Sequence, residues 1–511
     1  MKISRSNRKV GKYGGLAPIH KRIEQCHIRQ LIRSVLGERV KQAEYGFDDT
    51  ILGWGLSAFC GGKHLNYITK IADELQMHRG IKIPSHDTLG RSFKKLAVPN
   101  KRVRAVQNDG LSFTYHNDNP LMNSLLFKIT KAIGALDENV SYTVDVDQTF
   151  VSTECRGAFF PTKEEEEKFD NENALRKKLP ILNGDKLPDV NLKKIPKERS
   201  GKIGFAPMVA LIGALPVNIS LRSGNADAKF RLHEFVKDTL ALAKESNIKI
   251  GRFISDGAGY LYNTLEFLHN QEIKFLVRYT YKKTNKEFAR TFKACNNWRK
   301  TRIKTTTQII ECEVGDVPYK MWDDPKIRRV YPSPTYRVVF ARKPTEETLK
   351  RIAPNDYETK ATEKEKQDPF KRRQLLEQPG NPNAESWTVI DGYRYTFIIT
   401  NDFEKSSEDL IMEYNKRGNA ERQFSHMKKD FAWKYPPFMK MDANTVFLIV
   451  AAISNNILRG TRNWLKKQIP EIDLKETLDE FINKFIRIAF EVFDENYCFF
   501  NTNYAFEKIK F

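Results

Sequence analysis

The chain has 511 residues, too many for one compact domain, and its 40% apolar and 11% aromatic content is that of a folded protein, which excludes a wholly disordered chain. Lys and Arg outnumber Asp and Glu by 86 to 64, a formal net charge of +22, so an anionic partner is expected, either nucleic acid or an acidic membrane surface. The longest apolar runs, 205–217 and 446–453, fall short of the roughly 20 residues of a spanning helix, and no apolar stretch of a secretory signal follows the basic N-terminus. The six cysteines form no CxxC pair and no zinc-type spacing with histidine, which suits apolar core residues in a reduced, cytoplasmic setting with no membrane partner.

Positive charge is densest at the start: residues 1–42 hold 11 Lys and Arg against Glu24 and Glu38. The first dozen residues read as a basic arm. Helical patterns follow at 23–36, 48–59 and 65–75, then at 86–96, where Ser85 is placed to cap and Leu89, Phe93 and Leu96 mark an apolar stripe. Arg91, Lys94 and Lys95 on this last helix fit the second helix of a helix-turn-helix or, equally, the wet face of a small bundle.

From about residue 139 the period changes. Residues 140–151 alternate as a strand, 161–202 read as a charged insert carrying Glu164 to Glu167, and 205–221 read as two apolar strands turning near Pro216. An amphipathic helix at 230–244, a strand at 248–255, a helix at 261–269 and a strand at 275–281 complete an α/β alternation with a mixed sheet. Residues 283–391 interrupt it as a β-rich insertion with a polar run at 345–386. A core strand then returns at 394–400, and one long helix is expected from Ser406 through Lys429, with helices at 444–465 and 474–493.

Three carboxylates occupy positions where such an architecture places chemistry. Asp147 lies in the first core strand, Asp256 at the C-terminal end of a later one, and Glu421 on the helix after the last. Carboxylates brought together from separate elements suit a pair of divalent cations, one activating a nucleophilic oxygen and the other stabilising the leaving one. On a continuous helix at about 100° per residue, Tyr414, Arg417, Glu421 and Lys428 share one face, a pattern suggestive of a phosphate-backbone track beside a metal ligand. Trp298, Arg299, Arg302 and Trp322 in the insertion could grip unpaired bases or simply form a small core with exposed charge.

The spacing Tyr414-two-Arg417-three-Glu421-six-Lys428 resembles the signature of the DDE transposases of the IS-four superfamily of insertion sequences. Asp147-Gln148-Thr149 looks like their first-aspartate motif, although Gln148 stands where Ser or Thr is commoner, and Asp256-Gly257-Ala258-Gly259-Tyr260 is similar to the second. Gly14-Gly15-Leu16 and Leu221-Arg222-Ser223-Gly224-Asn225 resemble elements of the group numbered thirteen-eighty. The resemblance implies an RNase H-like core in two parts, 136–282 and 392–445, split by a β-rich module at 283–391. A helical DNA-binding region at 1–135 and C-terminal helices at 446–511 would flank it. It further implies two Mg2+ or Mn2+ ions on Asp147, Asp256 and Glu421, DNA contacts from Tyr414, Arg417 and Lys428, and a homodimer on double-stranded DNA. Cut-and-paste transposition is the implied activity; a domesticated copy that only binds DNA is the alternative. Asp145, on the same strand face as Asp147, competes for the first ligand position, and Asp147 is preferred because it directly precedes the Gln-Thr pair.

Overall fold

The computed structural model describes residues 10–39, 43–107, 110–152, 204–224, 226–280, 286–304, 309–320, 334–345, 347–348, 351, 388–493 and 496–500. The expected basic arm at 1–9, the charged insert with Glu164 to Glu167, Asn225, Trp322 and most of the polar run 345–386 lie outside the described residues.

The longer N-terminal helices are α1 (Leu16–Gln25), α2 (Ile28–Leu36), α3 (Phe47–Phe59) and α4 (His86–Leu96), and the helix expected over 65–75 is two single turns, Tyr67–Lys70 and Ala72–Leu75. The single helix expected over 23–36 is broken at His27, whose φ of 52° no helix accommodates. Every residue of α3 is buried, and its first-turn acids are neutralised: Arg29 lies 3.2 Å from Asp48 and 2.9 Å from Asp49, and Arg33 lies 2.7 Å from Asp48. Ser85 caps α4 as its position suggests, accepting the Thr88 N–H at 3.2 Å. Leu89, Ser92 and Phe93 face the core, and Arg91, Lys94 and Lys95 are exposed. The region read as helical to residue 135 also holds a hairpin, β1 (Lys101–Gln107) and β2 (Gly110–Asp118), before α5 (Pro120–Ala132). Alternation at Arg102-Val103-Arg104 and β-formers at Phe113-Thr114-Tyr115 favour strand there.

The centre of the molecule is β3 (Ser141–Gln148), followed by β4 (Met208–Ile212), β5 (Leu215–Arg222), α6 (Leu232–Glu245), β6 (Lys249–Ser255), α7 (Tyr262–Asn270) and β7 (Lys274–Arg278). β4 lies antiparallel to β3 and to β5, whereas β6 lies parallel to β3 and to β7, giving the spatial order β5-β4-β3-β6-β7. A three-stranded meander followed by two parallel strands on its far side is the RNase H-like arrangement, so the chain is an α/β protein with a mixed sheet and helices at both ends. Gly213, at φ 61°, makes the β4–β5 turn that a side chain would strain.

Both edges of this core are extended. β2 joins β5 at His116↔Arg222. On the other edge, after α8 (Lys286–Lys293), come β8 (Arg299–Lys304), β9 (Ile309–Lys320), β10 (Thr335–Pro344), β11 (Thr388–Ile390) and β12 (Tyr393–Thr400). β12 pairs with β7, and β10, β9 and β8 follow outward. The insertion is thus β-rich, as its Thr, Val and Tyr content suggests, and it continues the main sheet, which has 12 strands among the described residues.

The long helix expected through Lys429 is two helices, α9 (Ser407–Asn415) and α10 (Asn419–Asp430), separated by a tight turn at Lys416–Gly418. Gly418 and Asn419 are weak helix formers at the break. Next comes α11 (Met441–Lys466), which by length and composition could cross a membrane although its most apolar run is short. It is instead the core helix, 94% of its apolar window being buried. Its polar side chains are satisfied inside: Asn456 donates to Thr130 and to the Pro216 carbonyl, both at 2.7 Å, and Asn444 brackets Phe438. The C-terminal region is not all helix: β13 (Ala489–Phe493) and β14 (Asn496–Phe500) pair as a hairpin, and the Gly11 N–H donates to the Phe490 carbonyl at 2.9 Å. At Gly15 a Cβ would overlap the Phe485 carbonyl, so the early glycines let this segment pack closely against residues 485–490.

Alternation on β3 divides the two faces of the sheet. Val144 and Val146 enter the core under α6, α7 and α8, and Asp145 and Asp147 face the side of α10 and α11. Two outcomes follow. Trp433, fully buried with its indole N–H on the Leu448 carbonyl at 3.2 Å, holds the segment after α10 to α11; Trp433→Ala is expected to lose about 3–5 kcal/mol in urea unfolding. At the β2–β5 edge, burial would raise the pKa of Asp118, but the His116 imidazole 2.8 Å away and a hydrogen bond from Ser220 outweigh it and hold it at about 2. A depressed pKa gives stability above the unfolded value near 4 that is lost as pH falls through about 2. Asp118→Asn is expected to flatten that part of the acid-unfolding curve, and an unchanged curve would remove the network from acid stability.

Candidate active site

Adjacent parallel strands bring the two aspartates together. Val146 pairs with Ser255 across β3 and β6, so Asp147 and Asp256, the next residues, stand side by side at the C-terminal ends of their strands. The Gln148 N–H donates to Asp147 Oδ1 at 2.8 Å, and Asp256 accepts the Ala258 N–H at 2.9 Å as it caps the turn Gly257–Gly259. These are short-range constraints that hold each carboxylate to its own strand end.

The third carboxylate arrives from α10. Ser406 caps α9, and Arg252 on β6 ties α9 and the loop before it to the sheet through Asp402 at 2.6 Å and Glu413 at 3.0 Å. Arg337 on β10 adds hydrogen bonds to the Lys405 carbonyl and Ser407. After the break at Lys416–Gly418, Ala420, Phe424 and Met427 bury one side of α10. Glu421 and Lys428, about two turns apart on one face, then look into the same space as Asp147 and Asp256: an open cleft of about 700 Å³. Arg417 lines it as well.

The stripe drawn on a continuous helix therefore survives in altered form, because Tyr414 and Arg417 precede the break and Glu421 and Lys428 follow it. Tyr414 is directed inward, its hydroxyl donating to the Ser255 carbonyl at 3.4 Å, and burial pushes its pKa up to about 12. Lys428 donates to Thr149 Oγ1 at 2.7 Å. Arg417 spans the two aspartates of β3, with Nη2 2.8 Å from Asp147 and Nε 3.3 Å from Asp145.

Charge is concentrated here. Burial raises the pKa of both Asp145 and Asp147; Arg417 opposes that rise, and Asp256 adds to it on each. Burial works against the guanidinium too, but Asp147 and Asp145 outweigh it and keep Arg417 charged. The carboxylates outnumber the one buried cation among them, and they offer only hard oxygen donors, a chemistry that fits Mg2+ or Mn2+. Asp145 Oδ1 is buried and, despite its ion contact, has no aligned hydrogen bond. Among the described residues, no three His, Cys, Asp or Glu side chains stand close enough together, as placed, to hold a metal ion.

Other candidates lie elsewhere. Arg91, Lys94 and Lys95 do not line the cleft, and Lys94 Nζ lies 5.9 Å from the centre of the Phe438 ring. Trp298 packs against Phe340 at 5.0 Å beneath the Arg342 guanidinium at 3.7 Å, Arg299 bonds Glu408 at 2.9 Å, and Arg302 pairs with Glu311. This is the core-plus-surface-charge reading of the insertion. Sequence reading missed Lys63, Lys429, Lys434 and Tyr435 at the rim of the cleft. Lys63 is some 360 residues from Glu421 in sequence, and no local pattern joins them.

No protein-family model matches the chain, and no curated protein does. Among solved structures, the chain is similar to the piggyBac transposase in a cryo-EM synaptic complex with hairpin DNA, at 9% identity and a TM-score of 0.30, covering 94% of this chain and 88% of that one. A likeness of that degree carries no argument about function; the strand order described above is what assigns the fold.

Among the described residues Arg417 carries the guanidinium ion-paired with both Asp145 and Asp147, and removing it leaves two partly buried carboxylates uncompensated. Arg417→Gln is expected to destabilise the metal-free protein by about 3–5 kcal/mol at pH 8 in denaturant titration, and an unchanged midpoint would show that the ion pairs contribute nothing net.

Proposed function

We propose that the chain is a DNA transposase of the DDE type, encoded by an insertion sequence, that cuts and joins phosphodiesters at inverted-repeat ends. The observation that carries this reading is that Asp147, Asp256 and Glu421, from two adjacent strands and a separate helix, line one open cleft. The Tyr-Arg-Glu-Lys spacing and the RNase H-like strand order support it independently of each other.

In this reading Asp147, Asp256 and Glu421 would hold two divalent cations, which when bound would activate the attacking oxygen and stabilise the leaving one. Lys428, held on Thr149, and Lys63, Lys429 and Lys434 supply ammonium groups for the phosphate backbone around the cleft. Arg417 balances the aspartates before substrate arrives and offers a guanidinium to a phosphate afterwards. Tyr414, bonded to the Ser255 carbonyl, steadies the strand end that carries Asp256. Exposed Arg91, Lys94 and Lys95 on α4 extend the contact to DNA away from the cleft, and a homodimer would hold two ends at once. In this reading the protein works on chromosomal DNA in the cytoplasm of a bacterium or archaeon.

The test is cleavage and strand transfer on a labelled duplex bearing the flanking inverted repeat, with Mg2+ and with EDTA. Wild type is expected to cut at the repeat boundary only with metal. Glu421→Gln and Asp256→Ala are each expected to lose at least about 100-fold in rate while still retarding the duplex in gels. Mutants that cut like wild type would remove these carboxylates from the role. Binding without any cut would make the protein a DNA-binding relic, and cuts without joined products would make it a nuclease.

A further inference from the structure

Asp145 has no part in the chemistry above, yet it is buried beside it. It stands two residues before Asp147 on the same face of β3, and the guanidinium of Arg417 touches both through different nitrogens, Nε toward Asp145 and Nη2 toward Asp147. Neither nitrogen makes an aligned hydrogen bond, so charge rather than direction holds the contact. Arg417 sits in the turn Lys416–Gly418 between two anchored helices, at the wall of the cleft, with its side chain 16% exposed.

A cation arriving at Asp147 meets a resident positive charge. If Arg417 had Asp147 as its sole partner, the cation would have to displace a buried guanidinium and leave it uncompensated, which is unfavourable in a poorly solvated place. A second carboxylate within reach of the same guanidinium removes that conflict. We propose that Asp145 is a positioning residue that keeps Arg417 neutralised when a divalent cation takes Asp147, so that cation and guanidinium occupy the site together. The inference rests on the reading that Asp147 holds such a cation.

The experiment is a double-mutant cycle read by Mn2+ binding to the full chain, using calorimetry and the electron paramagnetic resonance of free Mn2+, without DNA and without turnover. Asp145→Asn is expected to weaken Mn2+ binding about tenfold or more, because Arg417 is left with Asp147 alone. Asp145→Asn with Arg417→Gln is expected to restore binding to the wild-type level or tighter, because the competitor is gone. The double variant removes one charge of each sign, so it also serves where Arg417→Gln alone fails to fold, and circular dichroism checks every variant. Restoration would establish the positioning role. A double variant as weak as Asp145→Asn would make Asp145 a direct ligand, and an Asp145→Asn protein binding like wild type would make it a bystander; either overturns the inference and leaves the metal reading standing. A wild-type chain that binds no Mn2+ would overturn both.

Discussion

One buried guanidinium joins the two halves of this molecule. Arg417 comes from a turn near the end of the chain and reaches two aspartates on the first core strand, some 270 residues earlier. Its contact links the end of the sheet to the start of the helix that carries Glu421. Carboxylates of like charge, partly shut off from water, do not gather unaided. The price of concentrating them is a resident cation, and the same cation defines what any metal or phosphate must contend with.

The break in the helix is what makes that contact possible. An uninterrupted helix from Ser406 onward would carry Tyr414, Arg417, Glu421 and Lys428 as one straight stripe. The turn at Lys416–Gly418 separates their tasks instead: Tyr414 and Arg417 are used inward, on the Ser255 carbonyl and the β3 aspartates, and Glu421 and Lys428 face the cleft. α9 is fixed to the sheet through Arg252 and Arg337, and α10 is fixed to α11 by its apolar side. The turn between them is therefore held from both ends, so its geometry is set by packing rather than by the propensity of its own residues.

Around this site the sheet has grown at both edges and the helices have merged into one core. Strands β12, β10, β9 and β8 continue the RNase H-like sheet beyond β7, satisfying backbone groups that an exposed edge would leave open. On the other side, α11 collects α3, α4 and α5 from the N-terminal region and the apolar face of α10 around itself. Regions far apart in sequence thus share one hydrophobic core, and this is how Lys63 comes to stand at the rim of a cleft floored by Asp147 and Asp256.

Much of this was legible without coordinates of any atom. Alternation at 140–151 and the strand-helix-strand rhythm to residue 281 follow from side-chain periodicity, a local property, and they place Asp147 within a strand and Asp256 at a strand end. Ser85 and Ser406 cap helices for equally local reasons. The hairpin at β1 and β2, the split of the last core helix, the continuation of the insertion as sheet and the role of α11 as a buried core helix were decided elsewhere. Each depends on which distant surface is available to pair with or pack against. The pairing of Arg417 with Asp145 and Asp147, and the lysines of the rim, belong with these. Charge type can be read from a sequence, but which charges become neighbours, and how far they are from water, is set only when the chain closes on itself.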